Sequence, residues 1–331
     1  MDHKTIPNTD LDVSVICLGT SEFGTAVDKA RAFRLLDAFV EQGGNFLDTA
    51  NVYANWIPGE RSMSEKTLGR WMRERDNRDR IVVATKGAHP ELTSMHVQRL
   101  SPEEIVADLD DSLRNLQVDV IDLYYLHRDD PTRPVAEIVD ALHAQQEVGK
   151  IRYFACSNWC AERIREAQAY AGEHGFQGFV ADQMLWNLAV VDPEALVDER
   201  IVMMDQELRR FHIETGMAAV PFSSQAGGLF QKMGAGAPDR LNPALRRMYP
   251  GVENQRRFER IQHLAGETGM TLTQIVLGYL LSQPFVTIPI VGCKSLPHLC
   301  DSLSSTGVTL TPAQIAYLER GESPQGGVCP A

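Results

Sequence analysis

Short apolar runs rich in β-branched residues alternate along the chain with stretches whose apolar positions recur at helical spacing. Eight such runs begin at Val15 (VICLG), Asn45 (NFLD), Ile81 (IVVATK), Val120 (VIDLYYLH), Ile151 (IRYFACSN), Phe179 (FVADQ), Gly216 (GMAAVPFS) and Val286 (VTIPIV). Six of the seven intervals between starts run from 28 to 39 residues, room for one strand and one crossover helix, and the last is 70. Helix starts are marked as well. Ser101-Pro102 with Glu104 forms a capping box with proline at the first helical position, followed by an apolar face of Ile105, Leu109, Leu113 and Leu116. Thr311-Pro312 with Gln314 repeats the device, and Asp192-Pro193 is a shorter version. Strands that are apolar at nearly every position are buried on both faces, as parallel strands are. Eight strand–helix units close most naturally into a (β/α)8 TIM barrel. A single barrel domain over residues 1–331 is expected, with 321–331 as a fraying tail. The rival is an open doubly wound sheet, but the GTSEFG that follows the first strand is not the Rossmann GxGxxG.

Composition narrows the function classes. The chain has 331 residues, 44% apolar and 23% charged, with a net charge of −12. That balance argues against nucleic acid or an anionic membrane surface as the main partner. The opening MDHKTIPNTD lacks the apolar core of a signal peptide, and no apolar run is long enough to span a bilayer. Six cysteines at positions 17, 156, 160, 293, 300 and 329 form no CxxC pair, and there is no HExxH. They read as reduced core thiols of a cytoplasmic protein, with no metal site expected.

In a barrel of this kind the active site lies where the strands end. The second strand ends at Asp48, the third at Lys86 and the fourth at His127, while Tyr53 sits in the loop after the second. Each has an ordinary reading alone: a turn cap, a solvated lysine, a structural histidine, a packing tyrosine. Together on one rim they make chemical sense. A phenol titrates near a pH of roughly 10 in water. A neighbouring ammonium lowers that value, and a buried carboxylate such as Asp48 holds the ammonium charged and in place. With His127 hydrogen-bonded to a substrate oxygen, such a tyrosine can act as a general acid toward a carbonyl receiving hydride.

The blocks NFLDTANVY, IVVATKG, IDLYYLH and GKIRYFACSNW resemble successive blocks of the aldo-keto reductase family. The likeness runs from TIPNTDLDVSVICLGT to TIPIVGCKSLPHLCDSL, nearly the whole chain. The resemblance implies that Asp48, Tyr53, Lys86 and His127 are the catalytic tetrad, with Tyr53 as proton donor. It also implies a nicotinamide cofactor held without a Rossmann motif. Gly19 and Thr20 after the first strand would lie against it. Ser157, Asn158 and Gln183 would hold the carboxamide, and Phe222 would stack on the nicotinamide ring. Ser223, Ser224, Gln225 and Gly227 would approach the pyrophosphate, although Ser224 and Gln225 replace the Pro-Leu pair common in the family. Gly292, Lys294, Ser295, His298 and Asp301 follow the eighth strand, where the family clamps the 2′-phosphate of NADP. His298 stands at the usual arginine position, which weakens the preference for NADPH and leaves NADH open. Trp56, His89 and Trp159 are the expected substrate contacts, with Met95 beside them; Trp159 and Trp186 flank cofactor positions and read equally well as core, and the mixture suits a sugar-like or small polar carbonyl while admitting aromatic aldehydes. The family also contains channel β subunits, so a slow redox-sensing subunit is the alternative. A Schiff-base aldolase using Lys86 is a third reading, opposed by Asp48. No feature of the sequence marks an oligomer interface.

Overall fold

The structure, a computed structural model, describes residues 1–322. From residue 323 onward the expected frayed tail, with Cys329, lies outside the described residues. Two three-residue strands, β1 (His3–Thr5) and β2 (Asp12–Ser14), pair antiparallel ahead of the barrel. Eight parallel strands follow: β3 (Cys17–Gly19), β4 (Phe46–Asp48), β5 (Val82–Gly87), β6 (Ile121–Leu126), β7 (Ile151–Ser157), β8 (Ala181–Gln183), β9 (Ala218–Ala219) and β10 (Ile290–Gly292). Their order is β10-β3-β4-β5-β6-β7-β8-β9. The ends meet through single hydrogen bonds: Ala219 N–H donates to Val286 O at 2.9 Å, Ile288 N–H to Ala219 O at 2.9 Å and Ile290 N–H to Pro221 O at 3.0 Å. Closure removes the sheet edges and gives the (β/α)8 barrel the spacing called for.

Six helices follow β3 to β8 in turn: α1 (Lys29–Glu41), α2 (Met63–Arg75), α3 (Pro102–Leu116), α4 (Val135–Glu147), α5 (Ala161–Glu173) and α6 (Gln206–Thr215). The 70-residue interval is filled by α7 (Leu229–Gly234), α8 (Pro243–Met248), α9 (Gly251–Thr268) and α10 (Leu272–Leu281). After β10 come α11 (Leu296–Leu303) and α12 (Pro312–Arg320). The capping boxes at Ser101 and Thr311 are both formed. Asp192 caps only a single 3-10 turn, Pro193–Ala195, inside the long β8–α6 connection. β9 and β10 are shorter than their apolar runs because Pro221 and Pro289 have no N–H to give the ladder. Among the described residues no helix is long and apolar enough to cross a membrane.

Two apolar layers follow from the period-2 alternation of the strands. Phe46, Ala84, Leu123, Tyr125, Ala155 and Ala181 face the barrel interior, plugged below by Ile6, Leu11 and Val13 of the first hairpin. Leu47, Val83, Tyr124, Leu126 and Phe154 face the helices. The next interior step along each strand is Asp48, Lys86, His127, Ser157 and Gln183, each two residues beyond a packed interior residue. Core packing thus sets the layer in which the rim side chains stand. Cys17, Cys156 and Cys293 are buried free thiols, but Cys160 and Cys300 are exposed, so the expectation of core thiols fails for those two.

Candidate active site

Lys86 is the hub of the rim. Its Nζ donates to Asp48 Oδ1 at 2.8 Å and Oδ2 at 2.7 Å, to Thr49 O at 2.8 Å and to Tyr53 Oη at 3.1 Å. Lys86 and Asp48 are both buried, so the pair sits where charge interacts strongly. Burial pulls the ammonium's pKa down, but Asp48, Tyr53 and the hydrogen bonds to both outweigh it, and the net shift is upward. Lys86 is therefore a cation and not a free amine, which removes the aldolase reading. Gln183 Nε2 donates to Asp48 Oδ1 at 2.7 Å and steadies the carboxylate from the far side.

Tyr53 departs from expectation in one respect. Burial pushes its phenol above the ordinary value, opposed by the Lys86 ammonium and assisted by the Asp48 charge. The lysine does pull the pKa down, but burial outweighs it, so the group rests protonated. His127 stands beside it, ring centroids 5.8 Å apart. Burial first, then the neighbouring His89 ring and the Arg128 and Lys86 charges, hold the His127 imidazole well below its usual pKa, so it is neutral. His89 lies 4.7 Å from the His127 ring, and Trp56, 49% exposed, meets Tyr53 edge-on at 6.1 Å.

Trp159 is a correction. It is fully buried, its Nε1 donating to Arg128 O at 3.3 Å and its ring packed on Phe179 at 5.0 Å, so it belongs to the helix layer and not to a substrate wall. Trp186 is likewise core, against Tyr279 and Phe285. Met95 serves through its carbonyl, which accepts from Arg200. Beside the rim, sequence reasoning missed Arg128, Asp198 and Arg200. Asp198 accepts from Arg128 Nη2 at 3.2 Å and from Arg200 Nε at 2.9 Å, tying the β8–α6 loop to the residue next to His127. An arginine directly after the rim histidine is the signal that was there to read.

The cofactor residues divide into those held inward and those left open. Thr20 Oγ1 donates to Asp48 O at 2.8 Å, and Ser224 Oγ is buried against Ile290 O at 2.5 Å, so neither hydroxyl is free. Ser224 therefore does not offer its side chain to a pyrophosphate. Asn158, in a left-handed turn, donates to His127 O and Ser157 Oγ and accepts from Val202 N–H. Gln225 donates to Ser302, and Asp301 accepts from Thr273. Gly19 is a packing glycine, since a methyl there would lie 2.7 Å from Ile290 Cγ2. Phe222 and Ser295 are half-buried, while Ser223, Gly292 and His298 are exposed at this end.

A phosphate-bearing cofactor fits the turn after β9. Ala226, Gly227 and Gly228 are successive left-handed residues; Ala226 N–H donates to Ser223 O and Gly228 N–H to Gln225 O, each at 2.8 Å, so what the turn offers a phosphate is the close approach its two glycines allow. Lys232 Nζ reaches back to Gly227 O, and its pKa is lowered by burial and then by the Lys294 charge. The Lys294 charge thus bears on the ammonium that reaches the glycine turn, a repulsion that an anion would relieve. Lys294 is meanwhile paired with Glu22 at 2.6 Å, across the gap between the loops after β3 and β10. Lys232 was not read from the sequence, since nothing local marks its side chain as turning back.

A model described as the aldo/keto reductase family matches residues 15–322. The chain belongs to that family. It is 31% identical over 334 residues to norsolorinic acid reductase B of Dothistroma septosporum, covering 96% of this chain and 80% of the relative. It is also 31% identical over 348 residues to an NADP(+) aryl-alcohol dehydrogenase of Phanerodontia chrysosporium, covering 96% and 84%. A thermostable aldo-keto reductase crystallised with the inhibitor epalrestat shares the fold, with a TM-score of 0.72 at 23% identity over 96% of this chain and 99% of the other. This aldo-keto reductase is an NAD(P)H-dependent oxidoreductase, and its family supports carbonyl reduction in general.

Proposed function

We propose that this aldo-keto reductase interconverts an aromatic aldehyde or ketone and its alcohol, with Tyr53 as general acid in reduction. The observation that carries the reading is the Lys86 ammonium held at once by the Asp48 carboxylate and the Tyr53 hydroxyl. Burial keeps the phenol protonated at rest. As its proton moves to the carbonyl oxygen, the growing phenolate faces an ammonium 3.1 Å away, an attraction that strengthens toward the transition state. Neutral His127 offers its ring edge to the same oxygen. NADPH, which supplies the hydride when bound, would be held by the Ala226–Gly228 turn, Lys232 and Lys294, with Phe222 against its ring.

An aromatic substrate has more support than a sugar-like one. Trp56, Ile57, Leu92, Val97 and Val197 are exposed apolar side chains on the loops after β4, β5 and β8. Two relatives named for norsolorinic acid and for aryl alcohols point the same way. Relatives named as reductases and dehydrogenases do not favour a non-catalytic sensing subunit. The free thiols suit a reducing, cytoplasmic setting.

The test is Tyr53→Phe. The rate of reduction of an aromatic aldehyde should fall at least about 100-fold, with NADPH affinity nearly unchanged. Turnover at the wild-type rate would refute Tyr53 as the acid.

A further inference from the structure

His89 stands against the reacting centre with its ring tilted 67° to that of His127. Its Nδ1 lies 2.7 Å from the carbonyl oxygen of Pro90. A carbonyl oxygen only accepts, so Nδ1 carries the ring proton. Nε2 then bears a proton only when the ring is cationic. Burial, reinforced by the Arg128 charge, holds the His89 pKa at about 4, so at neutral pH Nε2 is a bare lone pair. Nδ1 makes the ring's one hydrogen bond among the described residues, and Nε2 is not sealed from the surroundings.

The site therefore sets an acceptor beside its donors. A carbonyl oxygen can use Tyr53 and His127, but it has no use for a lone pair. A hydroxyl on the neighbouring carbon has. We propose that His89 is a specificity-determining residue for carbonyl compounds bearing a hydroxyl on the carbon next to the carbonyl, whose O–H donates to Nε2. The inference rests on the carbonyl-reducing reading of the site and goes beyond it in fixing what stands beside the carbonyl. Arg128 contributes by disfavouring the imidazolium, which would turn Nε2 from acceptor into donor.

The experiment compares 2-hydroxyacetophenone with its methyl ether, which cannot donate, under NADPH. The preference is read as the ratio of kcat/KM for alcohol over ether, so that intrinsic reactivity cancels between protein variants. In His89→Phe and His89→Leu the ratio should fall about three- to tenfold from the wild-type value, the worth of one neutral hydrogen bond. In His89→Gln, whose amide oxygen accepts, part of it should be retained. NADPH binding followed by fluorescence identifies the variants that are folded. A ratio unchanged in both apolar variants overturns the role of His89 while leaving carbonyl reduction intact. A wild-type protein that reduces neither ketone nor any aromatic aldehyde overturns the carbonyl reading, and this inference with it.

Discussion

Asp48→Asn isolates the energetics of the rim. In the wild type the carboxylate and ammonium meet at 2.7 Å with each side chain 3% exposed or less. Removing the negative charge leaves Lys86 buried with neutral acceptors alone to solvate it, the asparagine amide oxygen, Thr49 O and the Tyr53 hydroxyl. Breaking a buried pair in this way costs about 3–5 kcal/mol, because the surviving charge is uncompensated. Burial is the largest influence on the Lys86 pKa and acts downward, while Asp48 is the largest acting upward. The variant's lysine should therefore titrate below its unfolded value, the reverse of the wild type. Between the two values the unfolded chain binds more protons, so the variant gains stability as pH rises through that window. The wild-type lysine behaves oppositely: its contribution is present below the unfolded pKa and is lost as pH passes the raised folded value. Urea unfolding followed by circular dichroism at several alkaline pH values measures both. The decisive arm is Asp48→Asn with Lys86→Met, which removes both charges and should recover most of the loss. Asp48→Asn within about 0.5 kcal/mol of wild type, or a double variant less stable than the single one, refutes the reasoning.

Two further outcomes follow from charges at the same end. Glu22→Gln frees Lys294 from its ion pair, so NADPH should bind about two- to fivefold more tightly while NADH is unchanged, as expected of an exposed pair worth up to about 1 kcal/mol. Fluorescence titration with both nucleotides decides it, and an equal gain for NADH would sink the assignment of Lys294 to a 2′-phosphate. His127 is held well below its ordinary pKa and His89 at about 4, so both stay neutral in the folded chain while the unfolded chain protonates them near an ordinary pH of about 6.5. Their contribution to stability is complete above that value and declines as pH falls below it; urea midpoints at pH 7.5 and 5 should show a smaller drop in His89→Gln than in wild type.

What the sequence disclosed depended on alternation. Asp48, Lys86 and His127 were readable because each continues a buried strand at the period-2 step, so the strand pattern alone puts them inside the rim. Trp159 was not, because Asn158 takes φ 62° and breaks that alternation, sending the next side chain out to Phe179. The first hairpin was hidden by its three-residue strands, although Asn8, at φ 62° between them, marks its turn. The Asp198 link to Arg128 joins residues 70 positions apart, and local spacing carries no trace of such a contact. The direction of the Tyr53 shift depends on how deeply the ring is buried, which follows from tertiary packing.

Tyr53 also shows how a loop residue can be placed as firmly as a strand residue. Beyond β4 the backbone keeps pairing with β5: Thr49 N–H donates to Ala84 O at 2.9 Å and Asn51 N–H to Lys86 O at 2.9 Å. Lys86 Nζ closes the same stretch from above on Thr49 O. The loop carrying the proposed acid is thus stitched to the strand carrying its cation, which fixes the phenol relative to the ammonium. His89 and Asp198 stand instead on other connections, Trp56 lies farther along the Tyr53 loop, and Lys232 is in α7. Changes there can retune which carbonyl or nucleotide is accepted and leave the Asp48–Lys86–Tyr53 contacts in place. That division explains how one barrel end can keep its proton chemistry while its recognition drifts, and it locates specificity in the loops that sequence pattern reads least well.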